Sequence, residues 1–168
     1  MPEDLTLATT IWTDSQLPLA TVSKTTDRDA IKWVNSSILP QIYSYVDSRI
    51  QVCSIPFGYP LDTTLLMSAF GNLNEESRQL IITGWESARS NSIYWLALSD
   101  LFLLTDSLNE EYTKKSKAFR EKGEFYLNSL CSSLSDTINR IPDADTNENL
   151  GLLVFKTRKN KHYFNDGY

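Results

Sequence analysis

The stretch Ile93-Tyr94-Trp95-Leu96-Ala97-Leu98-Ser99-Asp100-Leu101-Phe102-Leu103-Leu104 is apolar on nearly every helical face, interrupted only by Ser99 and Asp100. A helix of this kind cannot offer one side to water, so the run from Ile93 to Leu98 is predicted to be buried on several sides, at the centre of a helical core. Its two polar residues, and a length short of the ~20 apolar residues needed to cross a bilayer, argue against a membrane helix. Working back from it, Leu80, Ile81, Trp85 and Ala88 fall on one face of the same helix. Asn74 is a cap residue, and Glu75 and Glu76 place negative charge in the first turn, where the helix dipole favours it. One helix from about Asn74 to Leu104 is predicted.

Working forward, Thr105-Asp106-Ser107 makes a short break. Leu108 to about Arg140 then reads as a long amphipathic helix with Tyr112, Phe119, Tyr126, Leu127, Leu130, Leu134 and Ile138 on one side. So short a link makes the two helices antiparallel neighbours. Glu110 with Lys114 and Glu111 with Lys115 are i to i+4 pairs on the solvated face, each stabilising by about 0.2–0.5 kcal/mol. Gly84 and Gly123 lie inside these patterns at a cost of about 1 kcal/mol each relative to alanine. Both are expected to admit close helix approach.

The N-terminal third is less regular. From Met1 to about Thr26 no helical period is evident, and Thr9-Thr10-Ile11-Trp12-Thr13 is rich in β-favouring residues, so an arm with room for one short strand is expected. A helix begins near Asp27, where Thr26 and Asp29 stand in capping relation, and Ile31, Val34, Ile38, Ile42 and Val46 form its buried stripe. Pro40 removes a helical hydrogen bond and either kinks this helix or divides it. Gln51 to Tyr59, with Pro56 and Gly58, reads as loop; a short helix from Thr63 to Phe70, capped by Asp62, ends at Gly71-Asn72. Beyond Ile141-Pro142 an acidic linker runs to Gly151, and Leu152 to Phe155 suit a strand or hairpin. The fold class expected is therefore mainly α: an antiparallel bundle of about four helices with extended N- and C-terminal arms. Residues 1–26 form the first arm, 27–141 the bundle, and 142–168 the linker and second arm.

The composition bounds what such a bundle does. With 168 residues, 41% of them hydrophobic, the chain can bury a core. A net charge of -5 argues against a body that grips a phosphate backbone over its whole surface. Met1-Pro2-Glu3-Asp4-Leu5 carries acids where a signal peptide needs a basic start, so secretion by that route is not expected. Cys53 and Cys131 form no CxxC pair and are expected to be reduced, half-buried thiols.

Catalytic patterns are sparse. The single histidine, His162, lies among cations near the C-terminus, and no phosphate-cradling glycine loop, nucleophile elbow or zinc-helix motif is present. Asp143-Ala144-Asp145-Thr146-Asn147 opens like a calcium loop, but Glu148 stands where the turn needs glycine and Val154 where a bidentate glutamate should close it. Asp100 could be a perturbed buried carboxylate, and with Trp85 and Trp95 it frames the one ligand pocket worth testing. A polar strip or an ion pair is the preferred reading there. No catalytic residue, metal or cofactor is assigned.

The functional content concentrates in the C-terminal arm. Lys156, Arg158, Lys159 and Lys161 alternate with Phe155, Tyr163, Phe164 and Tyr168, opposite in sign to the rest of the molecule. Leu152, Val154 and Phe155 suit strand addition to a protein partner, and that partner is preferred. The alternative is a nucleic-acid-binding accessory protein whose cations hold phosphates while the aromatics stack on bases. A tail without a partner is the third reading.

The capped helix Asp27-Arg28-Asp29-Ala30-Ile31-Lys32-Trp33-Val34-Asn35, and the passage from Tyr94-Trp95-Leu96-Ala97-Leu98-Ser99-Asp100 through a short turn into Glu110-Glu111-Tyr112 and Phe119 to Leu130, resemble the head-to-tail adaptor (connector) proteins of tailed bacteriophages. The likeness is one of element order from about Asp27 to Leu134. It implies a virion structural protein of the neck, made in the host cytoplasm, with no enzymatic activity and no membrane contact. It further implies a homo-oligomeric ring of about twelve subunits beneath the portal protein, contacting tail or further neck proteins. DNA would pass through the lumen without specific binding, repelled by net negative charge. Leu152 to Tyr168 would be the portal-docking element. Pro40 departs from the family pattern in the first helix.

Overall fold

Four threonines among Thr6 to Thr13 favour strands when read one at a time, yet Ala8, Ile11, Trp12 and Ser15 recur at helical spacing. In the computed structural model, which describes residues 3–53, 73–105 and 108–139, the helical spacing prevails. Helix α1 spans Thr6–Ser15 and buries those four residues. The Thr9 and Thr10 hydroxyls turn back onto the Leu5 and Thr6 carbonyls, which satisfies them within the helix. The expected strand at Thr9 to Thr13 is thus corrected to a helix, and the expected arm to a packed element. A left-handed Gln16, at φ 55°, ends α1, and a 3₁₀ turn at Leu19–Val22 follows.

Helix α2, Asp27–Trp33, starts where Thr26 Oγ1 accepts the Asp29 N–H at 3.1 Å. It passes through a π turn, Val34–Ile38, into α3, Leu39–Cys53. The interruption expected at Ile38-Leu39 is there as this π turn, which separates α2 from α3 just before Pro40. The wider turn before it, in which the Leu39 N–H reaches back five residues to the Val34 carbonyl, takes up the ring that a regular helix would exclude. Helix α4 is Glu75–Thr105 and α5 is Glu110–Asn139. Asn74 Oδ1 accepts the Ser77 N–H, and Asn109, a cap that the sequence reading passes over, accepts from Glu111 and Tyr112. The short helix expected at Thr63 to Phe70 and the C-terminal linker and arm lie outside the described residues. Among those described, the fold is wholly helical.

The chain divides into two compact units, Met1–Val46 with Ser87–Leu127, and Asp47–Glu86 with Asn128–Tyr168, described here as far as the residues above allow. In the first unit the predicted stripe is buried at Val34, Ile38, Ile42 and Val46, joined by Ala8, Ile11 and Trp12 of α1. Ile93, Leu96, Ala97, Leu98, Leu101 and Phe102 of α4 are buried too, as their all-round apolarity predicts. Three neutral donors fasten the start of the chain: Trp12 Nε1 to Asp27 at 2.9 Å, Asn35 Nδ2 to Glu3 at 2.6 Å, and the Tyr94 hydroxyl to Asp14 at 2.5 Å. In the second unit Ile50, Trp85, Leu130 and Leu134 are buried, and the Trp85 indole donates to Ser133 Oγ at 2.8 Å.

The second unit also corrects the reading of the cysteines. Cys53 and Cys131 are joined as a disulfide, with Cα atoms 5.3 Å apart across a sequence separation of 78. Spacing along the chain carries no trace of this, because the pairing follows from the way α3 and α5 lie together.

Candidate functional site

Within the first unit α4 and α5 form an antiparallel hairpin. Phe102 meets Tyr112 edge to face at 5.4 Å nearest the turn; farther out the buried Ser99 hydroxyl donates to the Ser116 carbonyl at 2.7 Å and Ser116 returns the bond to the Ser99 carbonyl at 2.9 Å. Farther still, Gly123 presses on Leu96: a Cβ there would stand 2.7 Å from Leu96 Cγ and 3.1 Å from its backbone nitrogen. Small residues let the two backbones approach, which is the packing expected of Gly123. Gly84 is different; among the described residues an added Cβ meets nothing within 4 Å, so no close approach by a described helix occurs there.

On one flank of the hairpin, rings and cations alternate. Phe119 stacks near Trp95 and Phe102, at 5.6 and 5.5 Å between centroids. Lys122 Nζ sits 4.1 Å from the Trp95 ring centre and Lys115 Nζ 5.6 Å from that of Phe102. Lys115 also pairs with Glu111 at 3.4 Å, the geometry anticipated from their spacing. Both partners are largely exposed, so this pair contributes well under 1 kcal/mol. Each lysine stem covers an aromatic face while its ammonium stays wet.

The end of the hairpin is where the surface becomes unusual. Leu103, Leu104 and Leu108 are 41%, 61% and 93% exposed, although Phe102, one residue earlier, is buried. In sequence these three leucines flank the link between α4 and α5, and they contribute little to the interior. They were not singled out as functional from the sequence. The signal the sequence offers is that α4 stays apolar through Leu103 and Leu104, to within one residue of its end at Thr105.

Asp100, two residues before that end, is half-buried. Burial pushes its carboxyl above the usual carboxylate range, and the Arg120 cation opposes the shift. It belongs to the first unit together with Trp95, whereas Trp85 belongs to the second. An open recess of about 400 Å³ lies elsewhere in the first unit, among Ser23, Lys24, Thr25, Asp29, Lys32, Trp33 and Ser36. Among the described residues no group of three His, Cys, Asp or Glu side chains is placed to hold a metal ion. No described helix is long and apolar enough to cross a membrane.

The partner-binding residues expected in the C-terminal arm, Leu152, Val154, Phe155, Lys156, Arg158, Lys159, Lys161, Tyr163, Phe164 and Tyr168, lie outside the described residues, as do His162 and the calcium-loop-like segment at Asp143. Comparison of the chain with protein-family models, with curated proteins and with solved structures found no match.

Proposed function

We propose that this chain is a structural assembly protein that works by packing against copies of itself and against neighbouring proteins, in the manner of a phage head-to-tail adaptor. The observation that carries the reading is the exposure of three leucines near the end of the α4–α5 hairpin, Leu103, Leu104 and Leu108. Exposed aliphatic surface gains about 25 cal/mol per Å² when it is covered, so three exposed leucines near one end of the hairpin favour association. The resemblance of the hairpin sequence to the adaptors supplies the kind of assembly: a ring between portal and tail, in the neck of a virion, with DNA passing through. The basic and aromatic residues from Leu152 to Tyr168 are assigned the portal contact.

Sedimentation velocity of the purified chain, alone and with an assembled portal ring, tests this, with electron microscopy of the faster species. A monomer or weak oligomer that closes into a ring on the portal is the expected result. A chain that stays monomeric at all concentrations and leaves the portal bare would overturn it. Salt-sensitive binding to DNA, lost when Lys156, Arg158, Lys159 and Lys161 become alanine, would favour the nucleic-acid accessory instead.

A further inference from the structure

In the second unit a covalent tie joins two long helices. Its α3 and α5 segments run parallel. Arg49 Nη2 donates to Asn128 Oδ1 at 2.6 Å, and one turn farther along both helices the Cys53–Cys131 bond joins them. Cys53 is the last described residue of α3. We propose that this disulfide is a reversible redox clamp between α3 and α5, open under reducing conditions and closed under oxidising ones.

Two features make the bond suited to opening and closing. The two residues are unequally exposed: Cys131 is 9% exposed, whereas Cys53 is half-buried and follows Val52, which is 66% exposed. The thiolate attack is therefore assigned to Cys53, the more exposed residue. In addition, Cys131 Sγ lies 3.7 Å from the Arg49 carbonyl oxygen, an acceptor ready for its S–H once the bond is cut. Neither redox state leaves the buried sulfur facing only apolar atoms.

The reductant is a low-molecular-weight thiol. Its thiolate attacks Cys53 Sγ; the Cys53–Cys131 bond breaks, and the electron pair leaves on Cys131, which takes up a proton. A second thiolate attacks the outer sulfur of the mixed disulfide, releasing the small-molecule disulfide and a Cys53 thiolate that is protonated in turn. Two small thiols are oxidised to one disulfide while the protein disulfide is reduced to two thiols. Closure is the reverse, with a small-molecule disulfide as oxidant. The inference does not depend on the assembly role.

Hydrogen exchange read by mass spectrometry on the full chain, in oxidised and in reduced glutathione, tests it. Reduction should accelerate exchange in Arg49 to Cys53 by on the order of tenfold or more, because the cross-link no longer limits local opening. Ile93 to Phe102, in the first unit, should be unchanged. A Cys53→Ser, Cys131→Ser chain should exchange in both buffers as the reduced protein does; should it fail to fold, the wild-type comparison stands by itself. Two freely alkylated thiols after incubation with oxidised glutathione, or equal exchange of Arg49 to Cys53 in the two states, would overturn the proposal.

Discussion

Gly123 and Gly84 have the same local cost in a helix and opposite surroundings, so the same substitution should act with opposite sign. At Gly84 alanine meets no described neighbour and gains helix propensity, a stabilisation of about 0.5–1 kcal/mol. At Gly123 that gain is outweighed. The added methyl collides with the Leu96 side chain, which can turn aside, and crowds the Leu96 backbone nitrogen, which cannot, and overpacking of this sort costs about 1–3 kcal/mol. Urea unfolding of Gly84→Ala and Gly123→Ala should therefore move the midpoint up and down respectively. Tyr94 offers a residue-scale test by pH. Partial burial and the hydrogen bond to the Asp14 carboxylate, which also places a negative charge beside it, push its hydroxyl up to about 12. A group whose folded pKa is raised contributes stability in full below its ordinary value of 10.0 and loses it as pH climbs through about 12. Thermal unfolding of the wild type and of Tyr94→Phe should differ at pH 8–9 and converge toward pH 12, with the wild type the more stable at the lower pH. A constant difference over that range would refute the assignment.

At the scale of elements, legibility followed how far each signal depended on neighbours. The runs in α4 and α5, the caps at Thr26 and Asn74, and the stripe from Val34 to Val46 are local patterns repeated over many residues, and they predict the helices they form. Helix α1 was misread because its threonines speak for strand individually, while the four residues that decide the matter, Ala8, Ile11, Trp12 and Ser15, include two small ones that carry little hydrophobic signal. Pro40 marks where the helix departs from regularity, but the form that departure takes, a π turn just before it, is a property of backbone geometry with no fixed residue signature. The leucines at the hairpin end could be read as apolar but not as exposed, since exposure depends on where α5 turns. The caps themselves are open to measurement. Thr26→Ala and Asn109→Ala each remove a side-chain acceptor for otherwise unpaired N–H groups and should cost about 0.5–2 kcal/mol. Chemical denaturation reads the loss, and serine at position 26 should restore most of it.

For the whole molecule, the decisive distinction is between surface that serves folding and surface that serves assembly. Leu104 and Leu108 expose most of their side chains, so replacing them with glutamine removes little buried area; their effect on folding should stay within about 0.5 kcal/mol, a shift in Tm of a few degrees at most. If they are covered when subunits associate, each one contributes about 1.5–3 kcal/mol there, and its loss weakens association by roughly 10- to 100-fold. Leu101→Gln provides the contrast, because Leu101 is fully buried and a polar amide in its place should unfold the hairpin before any question of assembly arises. The paired measurement is thermal unfolding beside sedimentation velocity for each variant. Leu104→Gln with Leu108→Gln should keep the wild-type Tm and lose the fast-sedimenting species. A double variant that both folds and assembles like the wild type would show that the hairpin end is ordinary surface, and would shift the burden of assembly to other residues of the chain.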